Sequence, residues 1–126
     1  MMLSRDAILS AQDLKTEDVA VPEWGGSVRV RTMTGTERDA FLAELKRDEA
    51  GKVVASDYGT RLIAFAAVGD DGARLFADAD VAALGAKSGV ALQRAFTAAD
   101  RLNSTSEAAV QGAEKNSPPD PSAASS

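Results

Sequence analysis

Neither cysteine nor histidine occurs in this 126-residue chain. Without cysteine there is no disulfide, no thiolate nucleophile and no thiolate ligand for zinc or an iron–sulfur cluster. Without histidine there is no side chain that titrates near neutrality when unperturbed, so Ser-His-Asp and Cys-His triads and imidazole metal sites are excluded as well. Aromatics are scarce, with four Phe, one Tyr and one Trp, so the core must be small and built mainly from Leu, Val and Phe beside many Ala. No run approaches the roughly 20 apolar residues of a membrane-spanning helix. The first ten residues, which include one Arg and one Asp, lack the apolar stretch of a signal peptide. A basic face is missing too. Fourteen Lys and Arg stand against 19 Asp and Glu, a formal charge of −5, with the acids spread along the chain. That argues against a nucleic-acid partner, because phosphate neutralisation needs clustered cations. The expectation is a cytoplasmic protein with no cofactor, no metal, no nucleic acid and no membrane association.

What is present reads as one domain. Hydrophobic residues make up 44% and charged residues 26%, ordinary globular usage. The composition changes near Asn103. Beyond it Val110 is the only large aliphatic residue, and the last ten residues, SPPDPSAASS, hold three of the four prolines. The chain therefore divides into an α+β domain over 1–102, a weak helix or linker over 103–116 and a disordered tail over 117–126.

Within the domain, Ser4 is a cap for a short leading helix carrying Ile8, Leu9 and Leu14. Val19 and Val21, then Val28 and Val30, alternate on either side of Pro22–Ser27, which predicts a hairpin over 17–32 turning at Gly25 and Gly26. A two-residue turn there pairs Val21 with Val30 and Val19 with Thr32. Thr34 and Glu37 form a capping box for a helix over 35–49 bearing Phe41, Leu42 and Leu45, with Gly51 beyond its end. A broad apolar face from Tyr58 to Ala66 predicts a central helix over 57–68, begun by Ser56 or Asp57. Asp70, Asp71 and Gly72 read as a turn, Arg74–Phe76 as a short extended piece, and Asp78 as the start of a brief helix through Val81 and Leu84. Ser88 caps the last helix, 88–102, where Leu92, Ala95, Phe96, Ala99 and Leu102 recur every three or four residues. The expected architecture is a β-hairpin packed against about four helices.

The motifs of chemical interest resolve into local roles. Starting an EF-hand loop at Asp70 puts Gly72 and Arg74 at liganding positions, so the spacing fails and Asp70, Asp71, Asp78 and Asp80 are read as turn and cap residues. Gly25–Gly26 opens a strand rather than a helix and has no following Lys-Ser or Lys-Thr, which excludes a phosphate loop. The triplet Asn103-Ser104-Thr105 matches a glycosylation acceptor only by chance. Strand alternation would gather Trp24, Arg29 and Arg31 on the face opposite the valines. Trp and Arg are the residues most enriched in interaction hot spots, so this trio is the candidate partner-binding site. The bland reading is a Trp covering the edge of its own core with Arg stacked on it. Small residues at Ala64, Ala67 and Ala98 would let a second copy of the chain approach closely, although Ala is also simply a good helix former.

The ordered series LSRDAIL, DLKTEDVAVPEWGGSVRVRTMTGTERDAF and RLIAFAAVGDDGARLFADADVAALGAKSGVALQRAF resembles the tail assembly chaperones of long-tailed bacteriophages and prophages, over Leu3 to Leu102. The tokens that carry the resemblance are VPEWGG with VRVR, the helix start TGTERDAF, and the acidic turn leading into RLF and DADV. The resemblance implies a non-enzymatic assembly factor that binds the tape-measure protein, helps the tail-tube protein polymerise around it, and leaves before the virion matures. Some members are also made in a longer, frameshifted form. It transfers no residue-level binding motif. A small hydrolase using only carboxylates and Lys is a distant alternative. A small virion structural protein, such as a head–tail connector or minor tail protein, is the nearer one, and retention in finished particles separates it from a chaperone.

Overall fold

Alternating valines build the sheet. In the computed structural model, which describes residues 1–104, strands β1 (Thr16–Val21) and β2 (Gly26–Arg31) run antiparallel, with Val19 opposite Val28 and Glu17 opposite Val30. The link between them is not the expected two-residue turn. Pro22–Trp24 form a 3₁₀ turn, and the Gly25 N–H donates to the Pro22 carbonyl at 3.0 Å. Gly25 takes the left-handed φ of 78° that an L side chain resists. Pro22 presets the first turn dihedral and has no N–H to lose there. Val21 therefore faces Gly26 rather than Val30, and Val19 faces Val28 rather than Thr32. The register slips by an even number of residues, so the faces survive. All four valines share one side, and Asp18, Ala20, Arg29 and Arg31 share the other.

A short helix, α1 (Arg5–Ser10), precedes the sheet, and Ser4 caps it through the Ala7 N–H at 3.1 Å. Helix α2 (Gly35–Glu44) starts on the capping box: Thr34 Oγ1 accepts the Glu37 N–H at 3.1 Å, and the Glu37 carboxylate accepts the Thr34 N–H at 2.8 Å. It stops five residues short of the expected 49. Leu45 turns extended and buried, and the chain folds into a tight loop in which Arg47 bridges Val53 and the Val54 N–H reaches the Lys46 carbonyl at 2.8 Å. Burial of Leu45 and Val53 outweighs another helical turn, and Gly51 (φ 83°) serves that loop rather than a helix end.

Helix α3 (Ala55–Ala66) is buried continuously from Arg61 to its end. Neither Ser56 nor Asp57 caps it: the N-cap position is Val54, without a side-chain bond, and Asp57 lies inside the first turn. Where a helix to 68 was expected, Ala67–Val68 leave it as β3, pairing antiparallel with β2 to complete the order β1-β2-β3. The Asp70–Gly72 turn forms as read, with Gly72 at φ 81° and the Asp71 carboxylate accepting the Ala73 N–H. After a 3₁₀ turn at Asp78–Asp80 come α4 (Val81–Gly85) and α5 (Gly89–Asn103), the latter capped by Ser88 through the Ala91 N–H at 3.3 Å.

The fold is thus the expected α+β arrangement, with one strand more than the hairpin. The core divides in two. One cluster packs Val30, Phe41, Leu62 and Phe65 with Ala98 and Ala99, where Phe41 meets Phe65 edge-on and Tyr58 at a tilt. The other gathers Ile63, Ala64, Ala67, Leu84 and Ala95, and half-buried Val28 and Phe96 pack against both. α5 extends through Asn103, one residue past the boundary read from composition, and Ser104 ends it in the left-handed region. The weak helix and the tail expected beyond lie outside the described residues.

Candidate functional site

The hairpin does not gather Trp24, Arg29 and Arg31 at one place. Trp24 sits on the 3₁₀ turn, which swings it inward, and it packs half-buried against the cluster of Ile63, Ala64, Ala67, Leu84 and Ala95. The two arginines lie on the opposite face of the sheet, each held by a different acid. Arg29 makes a bidentate pair with its cross-strand neighbour Asp18 at 2.7 and 3.2 Å. That hydrogen-bonded guanidinium holds the Asp18 carboxyl below the usual carboxylate range. Arg31 is mostly covered and grips both oxygens of Glu37 at 3.0 and 2.9 Å, the same carboxylate that caps α2. Burial pushes the Glu37 carboxyl up, but the Thr34 N–H and the Arg31 charge outweigh it and leave the group lowered. Arg31 is therefore a strut between β2 and α2, and its Nε is buried without a hydrogen-bond partner among the described residues. Of the trio, Arg29 alone has a guanidinium facing solvent.

The arginine that lies over an aromatic ring is a different one. Arg74 stands 4.1 Å from the centre of the Phe65 ring, donates to the Ala64 carbonyl at 3.1 Å and pairs with Asp78 at 3.1 Å. Next to it, Asp57 and Arg61 are 8% and 9% exposed and form a two-point pair at 2.9 and 3.0 Å, and Asp57 also accepts the Lys46 N–H at 3.0 Å. Burial raises the Asp57 carboxyl, and the Arg61 bonds, the Lys46 N–H and the two cationic charges together more than reverse it. With Asp78, Thr60, Lys46 and Val81 these groups line an open depression of about 620 Å³ between α3 and α4. Glu44, 3.7 Å from Arg61, is raised, first by desolvation and then by its hydrogen bond to Asp78, while Asp78 is lowered chiefly by Arg74. Asp80 accepts the Ala77 N–H at 2.8 Å, the cap role read from its position. Among the described residues, no group of three or more acids is placed to hold a metal ion. The i, i+4 spacing of Asp57 and Arg61 is the signal that would have found their pair.

The surface most unlike a finished exterior is the N-terminal segment. Met1, Met2, Leu3, Ile8, Leu9 and Leu14 are six of the eight exposed large hydrophobics among the described residues, and α1 buries none of its residues. The helix nevertheless has its own local support: beyond the Ser4 cap, Leu3 and Ile8 occupy the two positions of a hydrophobic staple. The segment is a preformed apolar arm joined to β1 through Ala11–Lys15. No helix among the described residues is long and apolar enough to cross a membrane. Compared with family models, with curated proteins and with solved structures, the chain matches none of them.

Proposed function

We propose that this chain is a non-enzymatic tail assembly chaperone of a long-tailed bacteriophage or prophage, which binds the tape-measure protein and promotes tail-tube polymerisation around it. The proposal starts from the resemblance over Leu3 to Leu102. The observation that carries it is the apolar arm, which offers six large side chains left exposed among the described residues. Burying one such side chain is worth about 1.5–3 kcal/mol, and ordering the arm offsets much of that sum. Each copy then binds weakly, while many copies along one long chain hold together and still release singly. An acidic chain of charge −5 attached at each point adds net charge to a partner that would otherwise aggregate.

The test is co-expression with the adjacent large gene product, scoring its solubility with this chain, without it, and with the Ile8→Ser plus Leu9→Ser variant. The expected result is a soluble partner with the native chain and an insoluble one without it or with the arm variant. Equal solubility in the absence of this chain would sink the proposal. So would stoichiometric retention of the chain in finished particles, which would favour a virion component instead.

A further inference from the structure

Among the described residues the sheet is closed along one edge and open along the other. β3 has its far side occupied, because the Leu75 N–H donates to the Ala67 carbonyl and the Gly69 N–H to the Ala73 carbonyl, each at 2.9 Å. On the β1 side, the Thr32 N–H donates to the Lys15 carbonyl at 2.9 Å and the register runs without a bulge from Thr16 to Val21. Antiparallel ladders alternate, so Glu17, Val19 and Val21 spend their backbone groups on β2, while those of Thr16, Asp18 and Ala20 point outward. All three residues are exposed, and among the described residues no hydrogen bond reaches those outward groups.

Exposed edges are ordinarily guarded by charge, proline or a bulge. Thr16–Val21 contains no Pro and no Lys. Its acids are neutralised from within: Glu17 pairs with Arg101, Asp18 with Arg29, and Glu23 just beyond with Arg94 at 2.9 Å. Such an edge repels a second copy of itself less than its sequence suggests.

We propose that β1 pairs antiparallel with β1 of a second copy about a two-fold axis through Val19, joining two three-stranded sheets into one of six strands. The outward residues must meet one another, which leaves few registers. Centring on Asp18 sets Asp against Asp, and centring on Glu17 sets Glu against Glu; like charges directly opposite destabilise a sheet. Centring on Val19 sets Asp18 opposite Ala20 of the partner subunit and Val19 opposite Val19 of the partner subunit. The pairing is isologous and closes after two copies. It is independent of the chaperone proposal, which rests on the arm.

A strand pair of this length buries less than a standard interface of about 1,600 Å², so the dimer is weak and depends on concentration. The test is sedimentation velocity of the full chain over a wide concentration range, with circular dichroism to confirm folding. Ala20→Pro removes an outward N–H that makes no internal bond, and should weaken association at least tenfold. Ala20→Asp opposes Asp18 of the partner subunit and should also weaken it, with recovery in high salt. Ala20→Lys should not weaken it. A native chain that stays monomeric throughout overturns the proposal, as does a folded Ala20→Pro that dimerises unchanged. If Ala20→Pro fails to fold, the Asp and Lys variants decide: equal effects from the two reject the register. Loss of the dimer on Ile8→Ser plus Leu9→Ser, with Ala20→Asp harmless, would place the contact on the arm and reject the edge.

Discussion

Asn103 is the residue whose loss the structure prices most clearly. It is 8% exposed, and its Oδ1 accepts the Met33 N–H at 2.7 Å while its Nδ2 donates to the carbonyls of Ala99 at 2.9 Å and Arg31 at 3.3 Å. The side chain ties the last turn of α5 to the stretch that connects β2 to α2. In Asn103→Ala, the buried Met33 N–H loses its acceptor and the Arg31 carbonyl loses its donor; each unsatisfied buried group costs about 1–3 kcal/mol. Ala gains roughly 0.5 kcal/mol in helix propensity. The net loss is about 1.5–5.5 kcal/mol, out of a total stability of the order of 5–15 kcal/mol. For a domain of this size each kcal/mol lowers the melting midpoint by roughly 4–8 °C, so thermal denaturation followed by circular dichroism should show a drop of several degrees or more. The control is Gln93→Ala on the exposed side of the same helix, where an exposed bond to Thr97 is lost and the change should stay within about 0.5 kcal/mol. If Asn103→Ala melts like the control, the three bonds do not clamp α5 to the sheet and the reasoning fails.

Four further outcomes follow from the same geometry. Asp57→Ala takes from Arg61 its two-point partner and leaves it Glu44 at 3.7 Å, so urea unfolding should show a loss of about 1–3 kcal/mol, whereas the double change Asp57→Leu with Arg61→Leu should cost less than the single one. Asp57 and Glu37 both titrate lower in the folded protein than in the unfolded chain. The stability they contribute is therefore fully present above their unfolded values of about 4 and is lost as pH falls through the lowered folded ones, so melting midpoints should drop on acidification below about pH 4, and less steeply in Asp57→Asn. Gly25→Ala would place a Cβ with no atom within 4 Å but at φ 78°, so its cost should be the backbone penalty alone, about 1–2 kcal/mol, by denaturant titration. Trp24→Ala should lower the melting midpoint while Arg29→Ala leaves it unchanged, since Trp24 packs on the core and Arg29 pairs in solvent; the reverse order would refute that placement.

Most of what was legible in the sequence was local. Ser4, Thr34 with Glu37, and Ser88 announce three helix starts, because a cap bonds to an amide only three residues away and needs nothing else in the fold. The valines of β1 and β2 announce their inner face, because alternation depends on parity and survives a wrong turn. The core stripes of α3 and α5 were visible in the same way. The placement of Trp24, Arg29 and Arg31 was not legible, because it depended on a loop. Pro22 converted a two-residue turn into a 3₁₀ turn, and that sent Trp24 into the core while the arginines stayed on the other face. The early stop of α2, the short strand β3 and the roles of Arg31 and Asn103 were decided by partners distant in sequence. Leu45 left its helix because Val53 and α3 offered it burial, and Ala67–Val68 became a strand because β2 had an unpaired edge beside them. Asn103 closes a contact across 70 residues. Composition read its surroundings as a boundary, yet a buried amide is satisfied by whatever backbone the tertiary fold brings to it.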